Sequence, residues 1–422
     1  MKLSGFLLSL ALLLHLAGAS FAAQVLIPMD ESQQDHLKSY GMTYWVLQQR
    51  VEVDWLLNYR GGSFAFRHAD VLEKELVARG ISYTVLSDGE YQDILRQIAD
   101  PEVNMEVMKL EKVPRIAVYT PNTAQPWDDA VMLVLAYAEI PFDKIFDDEV
   151  LAGKLSSYDW LHLHHEDFTG QYGKSLGGWN SMEWFQAMRE EAEGIARKHK
   201  FSNVPEMKLA VVRKIKEYIA GGGFMFAMCS AADTYDIALA ANGVDMVHEL
   251  FDGDGIDPQA QQKLDFSQTL AFQDFEVYLE PYYREFSSID NQRHERGIQP
   301  QHDYFQLFTF SAKWDPIPTM LTQNHEKTIK GFLGQTTAFK LQHVKPEVNV
   351  MGELREANEA RYMNGTFGKG TWTFYGGHDP EEYVHMPGKQ PTDLALYPNS
   401  PGYRLILNNV LFPAAKKIKA KT

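Results

Sequence analysis

The chain of 422 residues has a single cysteine, Cys229, so no intrachain disulfide can form and stability must come from packing. It also lacks an apolar run long enough to cross a bilayer. The apolar stretch in "MKLSGFLLSLALLLHLAGASFA", from Phe6 to Leu16, is too short for a span. With Lys2 before it and small residues after it, the pattern is that of a cleavable signal peptide over residues 1–22, cut after Ala22 or, as the alternative, after Ala19. No cysteine stands directly after the expected cut, which argues against a lipoprotein anchor. The expected location is therefore periplasmic or extracellular. Positive charge is scarce: 40 Lys and Arg against 56 Asp and Glu leave a net charge of −16, which repels nucleic-acid phosphates and anionic membranes. A small neutral, cationic or peptide-like molecule is the expected ligand. The one basic cluster, "KKIKAK" from Lys416, reads as a solvated terminus. Internal repeats and low-complexity segments are absent.

What is present is a globular balance, 45% hydrophobic and 23% charged, enough for one large or two ordinary cores. Short apolar runs alternate with helical patterns, which predicts an α/β fold with a mainly parallel sheet. "RIAVYTP" (115–121), "FDKIF" (142–146), "YDWLHLHHEDF" (from Tyr158) and Phe224 to Met228 read as strands. Helices are expected after the first of these, over Met182 to His199 and Met207 to Ala220, and again from Ser230. "EVNVMGE" and "TWTFYGG" read as late strands and "PGYRLILNNVLFPAAKKI" as a closing helix. This order predicts a flavodoxin-like doubly wound sheet in residues 113–422, interrupted by an aromatic-rich insertion at about 245–345 and preceded by an N-terminal α/β subdomain, 23–112. Ligands of such sheets gather at the carboxyl ends of the strands.

Cys229 falls at one of those ends, in "GGGFMFAMCSAADTYDIALAA". A nucleophile on a tight strand-to-helix turn needs small neighbours, and Ala227, Ser230, Ala231 and Ala232 supply them. There the Ser230 N–H and the helix N-terminus would lower the thiol pKa and provide half an oxyanion hole. A small buried hydrophobe is the equally weighted alternative. The candidate base is His378, delivered at a strand end by "GTWTFYGGHDPEEYVH", with Asp379 and Glu381 following.

With these two motifs in place, the chain resembles the class I glutamine amidotransferase-like superfamily over about residues 114–241 and 346–415, most closely its ThuA-like branch. It is also similar to secreted bacterial proteins labelled asparagine synthetase B. The resemblance implies Cys229, His378 and Glu381 as catalytic residues, with Ser230 at the oxyanion. Two departures stand out: the elbow reads Ala-Met-Cys-Ser-Ala where the family usually has Gly-x-Cys-x-Gly, and Pro380 stands where the acid usually follows the histidine. The Ser-Gly-Gly-x-Asp-Ser motif of ATP-binding synthetases is absent.

His162 and His164 share a strand face, and His165, Glu166 and Asp167 follow. The spacing permits zinc, but no Cys or His-Glu-x-x-His pattern supports it, so His164, His165, Glu166 and Asp379 are expected to bind substrate, with no metal and no cofactor. "DGDGID" at 252–257 carries Lys263 where a calcium loop needs its last acidic ligand, and reads as a solvated turn. Two functions follow: a cysteine-dependent hydrolase acting on an amide, or a non-catalytic ThuA-like module that holds a carbohydrate or other small nutrient. In the second, Trp179, Trp184, Trp314, Tyr282 and Tyr283 would be ring platforms.

Overall fold

The structure is a computed structural model that describes residues 23–122, 129–174, 180–291, 293–384 and 389–416. The expected signal peptide and Trp179 lie outside the described residues, as does most of the basic tail. No helix among the described residues is long and apolar enough to cross a membrane.

Two sheets organise an α/β fold. The first comprises β1 (Ala23–Ile27), β2 (Val53–Leu57), β3 (Ser63–Arg67), β4 (Thr84–Ser87) and β5 (Glu106–Leu110), in the order β4-β1-β3-β2-β5 and antiparallel throughout. Its strands lie within residues 23–112, the stretch expected as an N-terminal subdomain. The second has ten strands: β6 (Ile116–Tyr119), β7 (Asp143–Ile145), β8 (Trp160–Leu163), β9 (Phe224–Met228), β10 (Tyr304–Leu307), β11 (Thr328–Lys330), β12 (Phe339–Lys340), β13 (Asn349–Leu354), β14 (Glu359–Phe367) and β15 (Gly370–Tyr375).

The larger sheet runs β11-β10-β13-β14-β15-β9-β8-β6-β7, with β12 beside β14. From β15 to β7 every pairing is parallel, and from β15 outward to β11 every pairing is antiparallel. The sheet is thus mixed rather than mainly parallel. The cause is chain length: β13, β14 and β15 follow one another through short turns, which permit only antiparallel pairing, whereas β8 and β9 are separated by two helices. The segment expected to be an insertion also contributes β10 and β11 to the same sheet, so it extends the sheet instead of only capping it.

Side chains alternate between two cores, as a strand period of two requires. Ile116, Val118, Trp160, Phe226, Met228 and Tyr375 face the helices His36–Gln48, Ala130–Tyr137 and Pro401–Leu411. Ala117, Tyr119, Leu161, Leu163, Met225, Ala227 and Phe374 face the helices Val204–Gly221 and Ser230–Ala240. The first core is continuous with that of the N-terminal sheet. With helices on both faces, the carboxyl ends of β6, β8, β9 and β15 form one shared edge.

Candidate functional site

Cys229 occupies the junction between β9 and the helix Ser230–Ala240. Its backbone takes φ 54° and ψ −141°, a left-handed conformation that a residue with a Cβ adopts only under constraint from its surroundings. The sharp strand-to-helix turn expected from the small neighbours is present. Every residue from Ser230 to Ala240 is buried, so Ala231 and Ala232 let the helix close directly against the sheet.

Cys229 is 1% exposed, and its thiol is covered by residues 334–336. Gln335 donates its backbone N–H to Sγ at 3.2 Å, and the N–H groups of Thr336 and Ser230 also point at the sulfur. Gly334 lies so close that a Cβ there would stand 3.0 Å from Sγ and 3.0 Å from the main-chain N of His378. The sulfur and the His378 backbone are therefore within about 6 Å of each other. The cover is pinned on both sides. Thr336 donates its hydroxyl to Asp233 at 2.8 Å, and Asp290 accepts the N–H groups of Thr337 and Ala338 at 2.9 and 3.2 Å.

This cover reverses the expected electrostatics of the thiol. Burial pushes its pKa up to about 11, and the three N–H groups offset that only in part. The helix N-terminus was expected to lower the pKa. Desolvation of a fully enclosed sulfur is the larger effect. The Ser230 N–H, expected at an oxyanion, points at the sulfur itself.

The neighbouring strand ends bring histidines together. His164 and His165 follow β8, and His378 follows β15 after Gly377, whose φ of 97° turns the chain. The His164 and His378 rings lie 4.5 Å apart, His164 and His165 4.8 Å, and His165 and His378 5.4 Å between centroids. Behind them His162 donates Nδ1–H to the carbonyl of Phe226 at 3.1 Å, and its Nε2 is 3.3 Å from both His164 Nδ1 and an Asp129 carboxylate oxygen. Asp129 caps the helix Ala130–Tyr137 by accepting from Val131 and Met132 N–H at 2.8 and 2.9 Å. Burial acts to raise its pKa, but His162 beside it and the Met132 N–H more than offset this, and the net shift is downward.

The other expected site residues diverge. Glu166 turns toward the opposite face, 3.9 Å from the buried Lys208 that also pairs with Asp147 at 2.9 Å; burial first of all raises Glu166 to about 7. Asp379 accepts from the Glu381 N–H at 2.9 Å and from Thr392 at 2.8 Å, which fixes the turn after His378. Glu381 is held by Ser400, and burial raises its pKa. The carboxylate that faces the histidine cluster is Asp129, beside His162 and His164 and some 250 residues before His378 in sequence. Sequence reasoning gave it no role, and missed the Gly334–Thr336 cover altogether. Glycine and β-branched residues in "FLGQTT" were the available signal.

Trp184, Trp314, Tyr282 and Tyr283 are 48, 71, 70 and 55% exposed, so they are not core residues. A groove of about 700 Å³ opens elsewhere, lined by Asp30, Asn58, Met105 and His325 among others, and contains none of the expected site residues. Asp245, Asp252 and Asp254 gather their carboxylates near the "DGDGID" turn, while Lys263 pairs with Asp257. Asn364, within an Asn-Gly-Thr sequon, is buried in β14 and donates to Trp372 O at 2.8 Å.

No family profile and no curated protein matches the chain. Among solved structures it is similar to Cytoplasmic Protein STM3548 from Salmonella typhimurium, at 10% identity and a TM-score of 0.35, over 72% of this chain and 100% of that one. It is similar to Cytoplasmic Protein STM1381 from Salmonella typhimurium LT2 at 12% identity and a TM-score of 0.36, with the same coverage of 72% and 100%. A third similarity, to Gan42B, a GH42 beta-galactosidase from G. stearothermophilus, has 12% identity and a TM-score of 0.28, over 64% of this chain and 28% of that one. Likeness at this level carries no argument about what the chain does.

Proposed function

We propose that the protein is a cysteine-dependent hydrolase of small amides, built on the plan of the class I glutamine amidotransferase-like superfamily and acting outside the cytoplasm. The observation that carries this is the constrained backbone of Cys229, φ 54° and ψ −141°, at a strand-to-helix turn. Such a conformation costs about 1–3 kcal/mol and persists where a site needs the side chain lifted to a sheet edge. The order β7-β6-β8-β9-β15 supports the plan: numbered along the parallel strands alone it reads 2-1-3-4-5, the flavodoxin-like order.

In this mechanism His378 takes the Sγ proton and the sulfur lone pair attacks the amide carbon. The carbonyl electrons move to oxygen, where the Ser230 N–H receives the charge once substrate displaces it from the sulfur. Collapse of the tetrahedral intermediate breaks the C–N bond, the amine leaves with the proton held by His378, and water hydrolyses the thioester. The enclosed thiol requires the Gly334–Thr336 cover to lift as substrate enters. A second reading, the non-catalytic ThuA-like binding module, is favoured by that same enclosure and by the raised thiol pKa.

Ammonia release from a panel of small primary amides separates the two. The hydrolase reading expects turnover that Cys229→Ser abolishes and His378→Ala reduces by about 10²–10⁴-fold. Turnover that survives Cys229→Ser would take the cysteine out of the reaction, and no turnover with any amide while the folded protein still binds a sugar would leave the binding module.

A further inference from the structure

The histidines around His378 have a donor arrangement that the hydrolase reading does not use. Each of His164, His165 and His378 offers a ring nitrogen, and the three nitrogens lie within 4.8 Å of one another. The edge of a zinc tetrahedron with bonds of about 2.0–2.1 Å is about 3.4 Å, so a contraction of at most about 1.4 Å closes the set. His164 and His378 are buried and His165 is partly exposed, which gives the cluster an open side.

Buried groups stand behind His164. The Phe226 carbonyl can only accept, so His162 donates to it through Nδ1, while its Nε2 lies 3.3 Å from an Asp129 carboxylate oxygen. His164 Nδ1 lies 3.3 Å from that Nε2 and 3.6 Å from Asp129 Oδ1. A carboxylate behind a ligating histidine is a usual outer partner of a metal-bound ring, and here His162 stands beside it. Asp129 is itself fixed by two backbone N–H groups, so it serves as an anchor.

We infer that His164, His165 and His378 form a binding site for a zinc-type divalent cation, with His162 and Asp129 orienting His164 behind it. Three neutral imidazoles with one open coordination position match the donor set of zinc sites that admit water or substrate. The site stands on the donor geometry alone. Its consequence for the thiol rests on the proposed hydrolase: a ligated His378 has committed its lone pair and cannot accept the Cys229 proton, so cation occupancy would hold that chemistry off.

Titration of zinc chloride into the metal-stripped full chain, followed by calorimetry, tests the site. One equivalent per chain is expected for the wild type and for Cys229→Ser, which keeps the site measurable whatever becomes of the hydrolase reading. His165→Ala, at the partly exposed member, should weaken binding at least 100-fold with an unchanged circular dichroism spectrum, and Asp129→Asn should weaken it about 10–100-fold. The absorption spectrum of bound cobalt should show nitrogen ligation and change in His378→Ala. No saturable equivalent in the wild type, or undiminished wild-type affinity in the His165→Ala and His378→Ala variants, would overturn the site.

Discussion

The thiol and the histidines stand on adjacent strand ends, yet they are held in opposite ways. Cys229 is enclosed by backbone N–H groups and apolar packing beneath residues 334–336, and burial suppresses its ionisation. The histidines are linked to a buried carboxylate that keeps its charge, Asp129. Position at the carboxyl edge brings reactive groups together, but the surroundings of each decide which charge it can carry. The two sides should therefore respond differently to mutation and to pH.

The largest effect is expected on the histidine side. Asp129→Ala removes the buried partner of His162 and the cap of Val131 and Met132, and should destabilise the fold by about 3–5 kcal/mol in urea unfolding. Asp129→Asn, which keeps the cap, should lose less. Equal, small losses from both would mean that the carboxylate does not organise the histidines.

The cover should show its own pH dependence. Burial raises Asp290 to about 7 although it accepts two N–H groups. Its neutral form is therefore favoured in the fold, while the unfolded carboxyl ionises near the usual 3.8. Stability contributed by this group is complete at low pH, falls as pH rises from about 4, and is lost by about 7, an effect of up to about 4 kcal/mol. Asp290→Asn should flatten that part of the stability profile. An unchanged slope would assign it to other groups.

Smaller effects probe the contact and the strain directly. Gly334→Ala places a methyl 3.0 Å from Sγ and from the His378 backbone, and should destabilise by about 1–3 kcal/mol, read as a lower unfolding midpoint. At position 229, glycine should be more stable than alanine by about 1 kcal/mol, although it leaves the larger void, because φ is 54°. Alanine as the better residue would remove the strain on which the elbow is argued.

Much of this edge was legible in the sequence. β6, β8, β9 and β15 are short apolar runs whose alternate residues face two cores, and the small residues around Cys229 announced the turn. The partner of the histidines was not legible. Glu381 was favoured because the resemblance implies an acid shortly after the histidine, but the turn carries it to Ser400, while Asp129 arrives from another strand-helix junction. Nor could apolar pattern show that residues 334–336 close over the sulfur, since that contact depends on β10 and β11 joining the same sheet. Burial, to which that cover contributes, is what raises the thiol pKa.

The most direct measurement is the iodoacetamide labelling of Cys229 in the folded, metal-free protein, followed by mass spectrometry in wild type and His378→Ala. A nucleophile beneath a cover that lifts should label in the native state, and more slowly when His378 is replaced. A thiol that stays unlabelled in both proteins until they are denatured would contradict the cysteine-dependent hydrolase and leave a buried structural residue.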